Sequence, residues 1–203
     1  MRKHSGFTLI ELVVVVVILG FLAVTAIPKF IDLTDQAKQA NIEGMAGGFA
    51  TAVSLTRAQW EAEGRPQNDQ NQNSVNYDGV NLVLTTEDEA NGIRPGYPTG
   101  LTDGETLGGN FDAANCEEIW LNILQQPPGV TTNIATLNSD DSIDYFVSES
   151  GDNQNSTCHF YLKESLNRDG NGQWESPNNS TSIGNSFTYA PANSSVVIHI
   201  NQQ

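Results

Sequence analysis

Positive charge is scarce in this chain. Nine Lys and Arg stand against 24 Asp and Glu, a formal net charge of -15, and six of the nine lie before residue 70. Nucleic acid is therefore not expected as a partner, since binding through counterion release needs Lys and Arg. Cysteine is scarcer still. With only Cys116 and Cys158, there is neither a C-x-x-C redox motif nor a thiolate set for a metal. Histidine occurs three times, at 4, 159 and 199, and no serine or cysteine motif accompanies any of them. His159 and His199 alternate with apolar neighbours and read as strand-surface residues. Asp140, Asp141 and Asp144 read as a solvated turn rather than a carboxylate pair, so no enzyme is expected. Aromatics make up 8%, and Leu, Ile and Val thin out after the first thirty residues. This is material for one modest core, of roughly 100–150 residues, on one anchor.

What the chain does have is a single long apolar run. Phe7 to Ile27 is twenty-one residues, uncharged except for Glu11. At about 1.5 Å per residue it reaches roughly 31 Å, enough to cross a bilayer. Arg2 and Lys3 precede it and hold that end in the cytoplasm, so the remainder is sent outward. A secretory signal peptide would have a shorter apolar core and an A-x-A-like site. Here the run continues into helix-competent sequence up to Gly64-Arg65-Pro66, where the helix should end. Glu11 is the anomaly, because a carboxylate in lipid is costly and is retained for a partner or a task.

The residues Gly6-Phe7-Thr8-Leu9-Ile10-Glu11-Leu12, after a short basic leader and before an apolar run containing Gly20 and Pro28, resemble the N-terminus of type IV pilins and related pseudopilins. In that family a prepilin peptidase cuts after the glycine and methylates the new amine. The resemblance thus implies cleavage between Gly6 and Phe7, with Phe7 methylated. It further implies that Glu11 pairs with the Phe7 amine of a neighbouring subunit and so sets the register of a filament. The stretch from Gly20 to Pro28 would be helical in the membrane and extensible in the polymer. "GYPTG" at 96–100, the two cysteines, "CHFYL", "SFTYAP" and a last apolar strand are similar to pilins of the mannose-sensitive haemagglutinin (MSHA) group. Long Asn/Gln/Asp-rich insertions such as "RPQNDQNQNSVNYDG" depart from a major pilin and suit a minor or priming subunit, or a secretion pseudopilin.

The implied fold is α+β, a long N-terminal helix packed on an antiparallel β-sheet head. Its segments are a leader (1–6), a transmembrane assembly helix (7–28), an amphipathic half (29–64) and a head (65–203). The implied partners are other pilin subunits, the peptidase, the assembly machinery and the inner membrane. The implied destination is an extracellular adhesive pilus.

Periodicity supports this plan independently. At 100° per residue, Ile42, Met45, Phe49, Val53, Thr56 and Trp60 form one stripe. Ala37, Ala40, Gly44, Gly47, Thr51, Ser54 and Ala58 lie opposite, a small-residue face that lets other helices come close. Residues 65–110 read as a long connecting loop with one strand, "GVNLVLTT". "DAANCEEIWLNILQQPP" reads as a short helix capped by Asp112 and stopped by Pro127-Pro128. "TTNIATL", "IDYFVSES", "TCHFYLKES", "SFTYAP" and "SVVIHI" follow as strands. An even cysteine count in an oxidising compartment favours a Cys116–Cys158 disulfide. No cofactor is expected. Asn167, Asp169 and Asn171, with Gly172 at the sixth position, partly match a calcium loop, but Asn178 stands where a bidentate Glu is needed.

Overall fold

The computed structural model describes residues 7–101, 107, 110–151 and 153–201; the leader, including Gly6, lies outside them. Helix α1 runs Leu9–Ala62. Strands β1 (Ser74–Tyr77), β2 (Val80–Leu84) and β3 (Pro98–Gly100) follow, then helix α2 (Ala113–Ile123), β4 (Gly129–Thr131) and a short helix α3 (Ile134–Ser139). Strands β5 (Ile143–Ser150), β6 (Thr157–Leu162), β7 (Ser186–Ala190) and β8 (Ser195–His199) complete the chain. Contacts divide it into two compact units, 1–37 and 38–203.

The second unit holds the core. Its five-stranded sheet has the order β4-β5-β6-β7-β8, antiparallel except that β4 pairs parallel to β5. The large-residue stripe of α1 lies in its core, where Ile42, Ala46, Phe49, Ala52, Val53, Thr56 and Trp60 are buried. Phe49, fully buried, is the hub: its ring centroid lies 5.1 Å from Phe160, 5.3 Å from Phe187 and Tyr189, and 6.3 Å from Trp120. Removing such a ring typically costs about 3–5 kcal/mol. Tyr145, buried on β5, donates its hydroxyl to Asn41 Oδ1 at 2.5 Å, tying the sheet to this part of α1. Helix α2 starts in a capping box: Asp112 Oδ1 accepts from the backbone N–H of Ala114 and Asn115, and Asn115 Oδ1 accepts from Asp112 N–H. Cys116 on α2 and Cys158 on β6 are bonded, with Cα atoms 5.5 Å apart and a sequence separation of 42. Closing a loop of that length contributes about 4 kcal/mol in the chain-entropy model.

Three expectations need correction. Residues 65–110 are not a loop with one strand, for β1, β2 and β3 form an antiparallel three-stranded sheet. Asp78 and Gly79, both at positive φ (49° and 86°), make the β1–β2 turn, a hairpin signal legible in "NYDGVN". "TTNIATL" is not a strand: only its first residue, Thr131, ends β4, and Asn133 then caps α3 by accepting from Ala135 N–H at 2.8 Å. Finally, His159 is buried, only 5% exposed, and does not lie on a strand surface. Beyond β6, Leu166, Trp174 and Ile183 pack with Leu137, Phe146 and Tyr161 into a second cluster over that outer face of the sheet.

This burial has a pH signature. Burial, assisted by the nearby His199, pushes the His159 imidazole down from 6.5 to about 4, while Ser150 Oγ lies 2.6 Å from its Nε2 and Tyr161 hydroxyl 3.3 Å from its Nδ1. The folded head prefers the neutral ring, so this stabilisation is complete above pH 6.5 and is lost as pH falls towards 4. The loss at pH 4 should be roughly 3 kcal/mol. Thermal unfolding from pH 7 to 4 should therefore show a shallower decline in His159→Gln than in the natural chain. The pairwise comparison cancels the opposing contributions of Glu117 and Glu149, whose carboxyls are pushed up mainly by burial. Equal slopes would assign the acid sensitivity elsewhere.

Candidate functional site

The surfaces that stand out are on α1. In the first unit the helix is long and apolar enough to cross a membrane, and none of its most apolar window is buried within the protein. Phe7, Leu9, Ile10, Phe21 and Val24 are each more than 70% exposed. A run of this kind cannot stay in water and requires lipid or other helices.

Its first turn explains how Glu11 is held. Thr8 precedes the helix, and Glu11 is its third residue. Glu11 Oε2 accepts from Thr8 N–H at 2.9 Å and from Thr8 hydroxyl at 2.7 Å, while Glu11 N–H donates to Thr8 Oγ1 at 3.3 Å. This is a capping box, which satisfies two helix-end donors reciprocally. The T-x-x-E signature was present in "FTLIEL" and is additional to the pairing that the resemblance implies. Both accepted bonds use Oε2, and among the described residues none uses Oε1. Gly20 and Pro28 lie within the continuous helix. Pro28 offers no N–H to the Val24 carbonyl, a local weakness in the ladder.

The small-residue face belongs to the helix as a physical surface. Ala40, Gly44, Gly47, Thr51, Ser54 and Ala58 are exposed, as is Ala37 in the first unit, and Gly48 and Leu55 extend the face beyond the residues read from periodicity. A Cβ added at Gly44, Gly47 or Gly48 would meet nothing within 4 Å. Glycine inside a helix costs up to about 1 kcal/mol relative to Ala. Three of them here are not explained by packing within the chain.

The remaining sequence candidates form no site with these. Asp169 Oδ1 accepts from the backbone N–H of Asn171 and Gln173, each at 2.8 Å, closing a hairpin-like turn. Among the described residues no cluster of three or more His, Cys, Asp or Glu could hold a metal ion. Asp140 likewise caps its own turn through Ser142. Tyr97 of "GYPTG" accepts a hydrogen bond from Arg57, whose guanidinium lies over its ring. Gly96 presses against Trp60, where a Cβ would come within 2.6 Å of the indole at φ 93°.

Comparison with known proteins agrees with this geometry. The family model for the prokaryotic N-terminal methylation motif matches residues 1–27. The chain is 49% identical over 68 residues to the type IV narrow pilus major component PilA5 of Thermus thermophilus, covering 34% of this chain and 57% of that protein. It is 32% identical over 117 residues to fimbrial protein EcpC of Eikenella corrodens, covering 52% and 73%. It is 46% identical over 54 residues to type II secretion system core protein G of Pseudomonas aeruginosa, covering 27% and 38%. The chain thus spans about half or less of the length of the first and third of these relatives. No solved structure matches it.

Proposed function

The chain belongs to the type IV pilin family, and on that premise we propose that it is a structural subunit that polymerises through α1 into a surface pilus. The observation that carries this reading is the exposed face of α1, with three glycines that its own fold does not require. Helices of neighbouring subunits would approach closely along that face. Head-to-tail contacts that do not close on themselves produce a helical polymer. Before assembly the subunit is anchored in the inner membrane through Phe7–Pro28. Arg2 and Lys3 keep the leader on the cytoplasmic side, within reach of the prepilin peptidase.

The finer reading is an MSHA-like adhesive pilus. It is supported by the Cys116–Cys158 bond and by the "GYPTG" segment, which ties the end of α1 to β3 through Tyr97 and Gly96. A second reading, a secretion pseudopilin or priming subunit, is favoured by the likeness to protein G and by the Asn/Gln-rich turns. Shearing cells and probing the supernatant with antibody to the head separates them. A pilus subunit is abundant in the sheared fraction, whereas a pseudopilin or priming subunit stays with the envelope.

Processing gives a direct check on the N-terminus. Mass spectrometry of exported protein should find a chain that begins at methylated Phe7 and lacks Arg2 and Lys3. Assembled material that still carries "MRKHSG" would refute the assignment of the cleavage site.

A further inference from the structure

We infer that α1 is the lid over the Cys116–Cys158 disulfide, and that a dithiol–disulfide oxidant must act on the head before α1 docks. Both cysteines are fully buried. Trp120 lies one turn after Cys116 on the same face of α2. Phe160 lies two residues after Cys158 on the same face of β6, and Tyr189 is the β7 partner directly opposite Cys158. The residue brought against all three is Phe49 of α1, at 6.3, 5.1 and 5.3 Å between ring centroids. Phe49 thus brings α1, which lies before both cysteines in the chain, against the aromatic neighbours of the disulfide on α2, β6 and β7.

Thiol–disulfide exchange requires a thiolate to reach a disulfide sulfur directly. In the forward direction one cysteine thiolate attacks the oxidant's disulfide, forming a mixed disulfide and releasing one oxidant thiol. The second cysteine thiolate then displaces the other. The two cysteines lose two electrons and two protons, and the oxidant is reduced to a dithiol. Neither displacement can occur once Phe49 is seated, because no external sulfur can enter the closed aromatic cluster. The bond is consequently made early and is permanent in the folded subunit. This holds whether or not the chain polymerises.

An order-of-addition experiment tests the inference on the full chain in detergent. Reduced, denatured protein is diluted into native conditions, with glutathione disulfide added either at once or after the tryptophan fluorescence change that reports core closure. Oxidation should be at least ~10-fold slower in the delayed arm, and reduction of the native chain by dithiothreitol at least ~100-fold slower than in guanidinium. If the reduced chain never shows the fluorescence change, docking requires the bond, which supports the same order. Phe49→Ala should abolish most of the delay. Leu137→Ala, in the second cluster and compared at equal unfolded fraction, should preserve it. Equal oxidation rates in both arms, or equal effects of the two variants, would overturn the lid.

Discussion

Glu11→Gln is expected to insert, be processed and present a normally folded head, yet to yield at least ~10-fold less filament, because the charge that would pair with a neighbour's amine is gone. The capping box makes this substitution informative. A glutamine side-chain oxygen can still accept from Thr8 N–H, so Gln retains much of the helix start that Glu11 Oε2 provides. Glu11→Leu retains none of it and also relieves the lipid cost. If Glu11 serves only its own helix, Gln should behave almost normally and Leu should be the defective variant. If Oε1 meets the Phe7 amine of another subunit, both should fail to a similar degree. Sheared filament per unit of membrane-inserted, cleaved subunit is the quantity to measure. Wild-type filament from Glu11→Leu would end the pairing hypothesis, and loss of the variant from the membrane would move Glu11's role to insertion or processing.

The parts of the fold that were legible in the sequence are those set by local periodicity and chemistry. The stripe from Ile42 to Trp60 follows from helical spacing, and the structure buries its members, with Met45 half-buried. Asp112 could be read as an N-cap because the pattern that satisfies α2's first amides lies within four residues. What was not legible depends on partners distant in sequence. His159 alternates with apolar neighbours as any surface strand residue would, and only the packing of Leu166, Trp174 and Ile183 shows that its face is covered. The parallel pairing of β4 with β5 likewise depends on α3 carrying the chain back, and α3 rests on an asparagine cap inside a Thr/Asn-rich stretch that suits a strand equally well. The Asp78-Gly79 turn is a different kind of miss: its signal was local, and the surrounding polar residues obscured it. For the exposed face of α1, spacing located the small residues, but it could not show that the glycines stand in open space.

That open space leads to the second large effect. Gly47→Leu, alone or with Gly44→Leu, should leave the head folded and raise its melting temperature, because each substitution removes a glycine from a helix interior at an exposed position where an added Cβ meets nothing within 4 Å. Filament yield should fall by at least ~10-fold, since a leucine on this face holds a neighbouring helix away from the backbone. Gly44→Ala adds one methyl group, so it should gain stability while losing less assembly. The opposed directions are the diagnostic feature. A change that stabilises the isolated subunit and prevents the polymer places the cost of the glycines within the chain and their benefit outside it. Circular dichroism melting of the detergent-solubilised subunit and the shear assay on the same variants read the two sides separately. If Gly47→Leu assembles as well as the natural chain, the face is solvent-facing in the polymer, and the helices must meet along another surface. If the variant loses both stability and filament, the glycine is needed within the subunit itself, and the exposed stripe no longer argues for an approaching helix.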